Sequence, residues 1–178
     1  MPRRTLLALL CSLAVALTAC GGSDSSSPAS GAADAGPTPT AAETVKALAD
    51  GISKDLEAKP QLAIPAGGTP AKLTIVDVVP GSGRKVKTGD AVEVQYVGSS
   101  WSTGSEFDTS WGNGQPFSFT LGHGEVIKGW DQGVVGMKPG GRRLLVIPPA
   151  LGYGAQGSPP KIAANETLAF AIDLVAIK

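Results

Sequence analysis

The sequence carries no surplus of either charge and few of the side chains that most catalytic sites use. Its 178 residues include 15 Lys and Arg and 15 Asp and Glu, so no basic excess is available for a phosphate backbone and we expect no nucleic-acid partner. The one His, His123, has no partners at ligand spacing, which excludes a metal site, and we interpret it as an exposed turn residue. No Ser lies in a Gly-x-Ser-x-Gly turn, which excludes that kind of hydrolase nucleophile.

Aromatic residues are scarce too, whereas glycine and proline are abundant. There are three Trp, two Tyr and four Phe against 24 Gly and 14 Pro, which indicates frequent turns. With 42% hydrophobic residues the chain can build one core, so we expect one domain with an appendage. Residues 152–157 match Gly-x-Gly-x-x-Gly by letter, but the following Ser158-Pro159-Pro160 cannot readily begin a helix, which argues against a phosphate-binding loop.

The N-terminus has the layout of a secretory leader. Arg3 and Arg4 precede an apolar run over residues 6–17, which is too short to cross a bilayer of about 30 Å, so a signal peptide over residues 1–19 is favoured over a retained transmembrane helix. The context of Cys20 resembles a bacterial lipobox. It predicts that Cys20 is lipidated and that the protein is exported and anchored to the outer face of the cytoplasmic membrane, or to an outer membrane where the envelope has one. A secreted protein with a chance Cys and twin-arginine export are the alternatives.

Two segments separate Cys20 from the remainder of the chain. Residues 20–40, with the lipidated Cys at their start, have no large apolar side chain, which is typical of a flexible tether. Residues 41–72 form an N-terminal extension with two possible interpretations. Thr40 and Glu43 fit a capping box before an amphipathic helix, but Gly51 weakens that helix, and the prolines within residues 59–65 favour an extended arm.

From residue 73 onward the hydrophobic period changes to two. Five runs alternate in the manner of β-strands, at residues 73–79, 92–96, 117–121, 144–148 and 168–177. Residues 125–134 instead place Val126, Ile127, Trp130 and Val134 on one stripe, which predicts a short helix. An antiparallel sheet curling around this helix is the economical way to cover its Trp, so the sequence predicts an α+β fold for residues 73–178.

Seven segments within residues 73–178 occur in a recognisable order. They are Val94-Gln95-Tyr96-Val97-Gly98, Phe107-Asp108-Thr109-Ser110-Trp111, Gln115-Pro116-Phe117-Ser118-Phe119, Leu121-Gly122 with Glu125-Val126-Ile127-Lys128-Gly129-Trp130, Gly136-Met137-Lys138-Pro139-Gly140, Ile147-Pro148-Pro149 with Gly152-Tyr153-Gly154, and Asn165-Glu166-Thr167-Leu168 with Phe170. Together they resemble the FKBP family, the peptidyl-prolyl cis/trans isomerases that bind tacrolimus and rapamycin. The family's fold, a five-stranded twisted antiparallel sheet wrapped around one short helix, agrees with the periodicity of this sequence.

The resemblance implies an apolar pocket for a prolyl residue. Trp130 is expected to form its floor, and Tyr153 to offer its hydroxyl to a substrate carbonyl. The Ile127 backbone N–H is expected as a second donor, and Phe107 is expected at the rim beside Asp108. Asp108, Tyr153 and Ile127 are therefore the expected catalytic residues. The expected walls of the pocket are Tyr96, Phe117, Val126, Ile127 and Phe170.

The implied reaction breaks no bond, so we expect no cofactor. Rotation about X-Pro is opposed by the partial double-bond character of the amide, and an apolar pocket with fixed carbonyl donors favours the twisted form. We therefore expect an isomerase that assists the folding of exported proteins, with their X-Pro segments as partners and macrolides as competing ligands. The alternatives are a weakly catalytic Pro-binding chaperone on the same fold and a small-ligand-binding lipoprotein. The second is disfavoured because solute receptors usually need two lobes.

Overall fold

The computed structural model describes residues 37–178 of the chain. The predicted signal peptide, Cys20 and most of the predicted tether lie outside the described residues. Within the described residues, no helix has the length and apolar character needed to cross a membrane. In the same part of the chain, no group of three or more His, Cys, Asp or Glu residues could hold a metal ion.

The described residues form two α-helices, one 3-10 helix and six β-strands. In chain order the elements are α1 (Ala41–Gly51), β1 (Thr74–Val79), β2 (Ala91–Ser100), β3 (Glu106–Thr109), β4 (Phe117–Thr120), α2 (Lys128–Gly133), β5 (Gly141–Ile147), the 3-10 helix (Pro149–Leu151) and β6 (Leu168–Ile177).

The strands form one antiparallel sheet in the order β1-β5-β6-β2, and two short strands, β3 and β4, pair with the free edge of β2. There, β4 pairs with the first half of β2 and β3 with the second half, through Val97, Gly98 and Ser99. The predicted fold, an antiparallel sheet with one short helix against it, is confirmed, and the sheet has six strands where five were predicted. The strand β3 is not among the five runs predicted from the sequence, because four residues with one apolar side chain are too short to show a period of two.

The helix α2 lies against one face of the sheet, which we call the inner face. It begins at Lys128 and not at Glu125, which corrects the predicted range of 125–134. Ile127 is its N-cap with an extended backbone (ψ 149°), and the Glu125 carboxylate accepts the Thr120 N–H at 3.1 Å, which holds this segment along β4. The helix packs very close to β5, since a Cβ added at Gly133 would meet Leu145 at 2.6 Å.

The inner face carries the larger hydrophobic cluster. The alternating residues of β6, namely Leu168, Phe170, Ile172 and Leu174, are all at most 4% exposed and pack there with Trp130. They are the residues that the period of two assigned to one face. The core therefore lies between α2 and the sheet, and the side chains that continue it toward solvent are available to line a site.

The opposite, outer face is covered by the N-terminal extension. The capping box is present, because the Thr40 hydroxyl accepts the Glu43 N–H and the Glu43 carboxylate accepts the Thr40 N–H. The helix Ala41–Gly51 follows, and residues 59–65 are not helical, so each of the two interpretations describes one part of the extension. We call the resulting second apolar cluster the outer cluster. It is formed by Val45, Leu48, Ala49, Ile52, Leu62, Val97, Trp101, Leu144, Val146, Ala169 and Ala171.

Candidate active site

A cavity of about 370 Å³ opens beside the N-terminus of α2. Strands β2, β3, β4 and β6, the segment before α2, α2 itself and the loop after the 3-10 helix all contribute to it. Its lining residues are Tyr96, Phe107, Asp108, Phe117, Glu125, Val126, Ile127, Trp130, Tyr153 and Phe170. The structure thus brings together all nine pocket residues named from the sequence, while their individual roles stay predictions.

Trp130 lines the cavity and is 4% exposed. Its ring meets Tyr96 edge-to-face at a centroid distance of 5.1 Å and Phe170 at 5.3 Å. Phe117 also meets it edge-on, at 6.2 Å. Edge-to-face contacts are the favoured arrangement of aromatic pairs, so the rings hold one another in fixed positions around the cavity.

Phe107 stands at the rim, where it packs edge-to-face on Phe170 at 5.6 Å. Both rings lie directly over Gly98 of β2. A Cβ at Gly98 would come within 2.6 Å of Phe170 and 2.9 Å of Phe107, so the close approach of the rings requires glycine at this position. The shape of the rim therefore depends on a residue that carries no side chain.

Asp108 and Tyr96 are joined by a hydrogen bond in which the phenol donates to the carboxylate at 2.8 Å. Burial raises the pKa of the Tyr96 phenol well above its ordinary value, and the hydrogen bond to the Asp108 carboxylate raises it further. Tyr96 is therefore a neutral donor at physiological pH. Its ring is fixed at one side of the cavity, and the exposed Asp108 carboxylate is fixed at the edge.

Two hydroxyl residues after Asp108 hold the backbone of Tyr96, and the sequence interpretation did not assign them. The Thr109 hydroxyl donates to the Tyr96 carbonyl at 2.8 Å, and the Ser110 hydroxyl accepts the Tyr96 N–H at 2.8 Å. Ser110 also donates to the Gln95 side chain. The signal in the sequence was the pair of short hydroxyl residues where β3 ends, since such side chains commonly bond to nearby backbone.

Glu125 is the one residue lining this cavity that the sequence analysis did not name as a pocket residue. Its place directly before Val126 and Ile127 was the available signal. Its carboxylate is tied to the Thr120 N–H, so it borders the cavity while it fixes the turn between β4 and α2. His123 is exposed in that turn and does not line the cavity, as the sequence predicted.

Two of the residues that line this mainly aromatic and aliphatic cavity carry hydrogen-bond donors. The backbone N–H of Ile127 donates to no protein group within residues 37–178, as is usual for the first N–H groups of a helix. Tyr153 lies in the loop after the 3-10 helix, lines the cavity and is 42% exposed. An apolar ring bound over Trp130 would thus have donors beside it, and neither donor is part of an acid–base pair.

This fold and site are those of a prolyl isomerase. Residues 82–175 match the family of FKBP-type peptidyl-prolyl cis-trans isomerases, and the chain belongs to that family. The predicted family, fold and isomerase activity are confirmed.

Three relatives illustrate the match. An FK506-binding protein of Streptomyces anulatus is 53% identical over 120 residues, which are 67% of this chain and 97% of that protein. The mouse (Mus musculus) peptidyl-prolyl cis-trans isomerase FKBP2 is 50% identical over 94 residues, 53% of this chain and 66% of that protein. The crystal structure of AtFKBP13 superposes with a TM-score of 0.55 at 38% identity and covers 62% of this chain and 96% of that chain.

Proposed function

We propose that this isomerase is exported, is lipid-anchored through Cys20, and accelerates the cis/trans isomerisation of X-Pro bonds in other exported proteins. The observation that carries the substrate assignment is the cavity over Trp130, which is lined by aromatic rings and has room for a prolyl ring. The observation that carries the location is the leader in the sequence, with paired Arg, a short apolar run and a Cys after small residues.

The chemistry follows from the amide itself. Rotation about a peptide bond is opposed by roughly 18–20 kcal/mol because twisting removes resonance between the carbonyl and the nitrogen. The planar amide is the more dipolar form, so transfer from water into an apolar cavity disfavours it relative to the twisted form. The site needs to bind the prolyl ring on Trp130 and to hold the carbonyl of the preceding residue.

Two donors hold the substrate carbonyls. The free N–H of Ile127 and the phenol of Tyr153 are in position to donate to substrate carbonyls, and their fixed placement means that little reorganisation is needed during rotation. Asp108 acts through Tyr96, because its carboxylate accepts the phenol and fixes the ring. In this mechanism Tyr153 and Ile127 are the catalytic residues and Asp108 is a positioning residue.

An isomerisation assay on a short X-Pro peptide tests the substrate assignment. We expect catalytic amounts of the protein to accelerate the isomerisation. We also expect inhibition by tacrolimus or rapamycin, because a relative of this chain is named an FK506-binding protein. The exposed rings of Phe117 and Tyr153 beside the cavity favour one alternative, a binding protein that holds unfolded chains and turns over little. Macrolide-sensitive suppression of aggregation without acceleration of the peptide would support this alternative instead.

Location is tested through the two cysteines of the sequence, Cys11 in the predicted leader and Cys20 directly after it. Cys20→Ala is expected to abolish incorporation of labelled lipid and to displace the protein from the membrane fraction, whereas Cys11→Ala, in the apolar run, is the matched control and is expected to leave both unchanged. Two acyl chains are about the number that stable anchoring requires. Wild-type protein found wholly in the soluble fraction and free of lipid would contradict the anchor.

A further inference from the structure

The sheet of this isomerase is apolar on both faces. In β5 and β6, Leu144, Val146, Ala169 and Ala171 point to the outer face and are at most 1% exposed. An antiparallel sheet with one solvated face alternates apolar and polar residues, so this outer face is built to be covered. The cover is the segment of residues 40–64, which we call the docked segment.

A buried arginine fastens the docked segment to the sheet. Arg142 of β5 is fully buried, and its guanidinium donates to both oxygens of Asp173 at 2.5 and 2.6 Å. Its other bonds reach the docked segment, at the Ser53 carbonyl (2.6 Å) and the Ala58 carbonyl (3.2 Å). A buried guanidinium needs all of its donors satisfied, so the attachment is specific in position as well as apolar.

The docked segment lies behind the part of the sheet that carries the rim of the cavity. Val97 of β2 belongs to the outer cluster and directly precedes Gly98, over which Phe107 and Phe170 pack on the inner face, and Trp101, just after β2, belongs to the same cluster. Trp111, which closely follows β3, also packs against the outer cluster.

A second contact reaches β3 directly. Lys59 of the docked segment donates to Glu106 at 2.7 Å, and Glu106 precedes Phe107 and Asp108. β3 has four residues and only one neighbouring strand, the kind of edge element that opens locally most easily. The segment therefore contacts β3 at its first residue, and Trp111, just beyond the last residue of β3, packs against the outer cluster that the segment helps to form.

We propose that the docked segment is a positioning element of the prolyl site, which restrains β3 from behind and so fixes Phe107 and Asp108 at the rim. The inference takes the isomerase activity as given and predicts a dependence of that activity on residues far from the substrate. Two readouts test it together: hydrogen exchange of the Phe107, Asp108 and Thr109 amides, and KM for an X-Pro peptide. Exchange is measured without substrate, so it separates failure of this inference from failure of the isomerase assignment.

Removal of one ion pair gives the first comparison. Lys59→Ala is expected to raise exchange at the three β3 amides and KM by about two- to fivefold, the range that corresponds to loss of a partly exposed ion pair. Lys46→Ala is the matched control, because Lys46 pairs with Asp50 on the solvent side of α1 and does not contact the sheet. The exchanged pair Lys59→Glu with Glu106→Lys is expected to restore both values.

Two buried leucines give the second comparison. Leu48→Ala loosens the docked segment. Leu174→Ala removes a leucine of similar burial from the larger hydrophobic cluster on the inner face. At a temperature where both variants are folded, Leu48→Ala is expected to give the faster β3 exchange and the higher KM. Equal β3 exchange and equal KM in the two variants, together with an unchanged Lys59→Ala protein, would overturn the proposal and leave the segment as a structural cover only.

Discussion

Replacement of Trp130 by Ala tests the floor of the prolyl site and the core at the same time. The indole is 4% exposed and contacts the rings of Tyr96, Phe119 and Phe170 at centroid distances between 5.1 and 5.6 Å. Truncation leaves these rings without their common partner. Both the stability of the domain and the binding of a prolyl ring are therefore expected to fall.

The expected magnitudes differ for the two effects. Truncation of a buried Trp costs about 3–5 kcal/mol, a large share of the roughly 5–15 kcal/mol that stabilises a domain. At about 2–4 °C per kcal/mol, Tm is expected to fall by roughly 10 °C. If the floor covers about 50 Å² of the prolyl ring, its loss removes about 1.3 kcal/mol of apolar contact, which corresponds to about a tenfold lower kcat/KM in the folded variant.

The assay must separate these two losses. Thermal unfolding gives the stability, and isomerisation of an X-Pro peptide is measured at a temperature where the variant is folded. Leu174→Ala is the control, because Leu174 lies in the same core at 1% exposure, does not line the cavity, and its truncation costs about 2–5 kcal/mol. Full kcat/KM in folded Trp130→Ala protein would refute the assignment of Trp130 as the floor.

Three further predictions concern the polar groups of the site. Tyr153→Phe is expected to lower kcat/KM about three- to tenfold with little change in Tm, because one hydrogen bond is lost from a side chain that is 42% exposed; an unchanged kcat/KM would remove Tyr153 from the mechanism. The rate is expected to be flat between about pH 6 and 9, because no proton is transferred and the raised pKa of Tyr96 keeps its phenol protonated. A phenol whose pKa is raised on folding stabilises the fold below the unfolded value of about 10 and loses that stabilisation as the pH rises further, so alkaline unfolding monitored by circular dichroism should begin at a different pH in Tyr96→Phe.

Most of the inner face could be predicted from the sequence because the longer strands that form it show a period of two. Leu168, Phe170 and Ile172 alternate with smaller residues, and Val92 and Val94 alternate with polar ones, so one face was identifiable without knowledge of the fold. The strand β3 was not, since its pairing is decided by β2 across a turn and not by its own four residues. The start of α2 was placed three residues early for a similar reason, the Glu125 bond to Thr120.

The conformation of the N-terminal extension over the outer face could not be predicted from the sequence of the extension alone. Gly51 and the prolines near residue 60 report only on the local preference of the segment, and they are compatible with both a helix and an extended arm. What decides the conformation is distant in sequence: the Ser53 and Ala58 carbonyls accept from Arg142, which lies 89 and 84 residues further along the chain. The one clue to a covered outer face was the pair of continuous apolar runs, residues 144–147 in β5 and 168–172 in β6, which are typical of strands buried on both sides.

The prolyl site is the open end of the inner core and not a separate structure beside it. Exposure increases along one continuous set of rings, from 4% at Phe119, Trp130 and Phe170 to 39% at Phe117 and 42% at Tyr153. The contacts that hold the deep rings in place also shape the surface offered to the substrate, so the floor contributes to stability and to catalysis through the same atoms. Only the donors at the mouth, the Tyr153 phenol and the Ile127 N–H, can be altered without cost to the core. Substitutions of the rings must therefore always be compared with a core variant of equal stability.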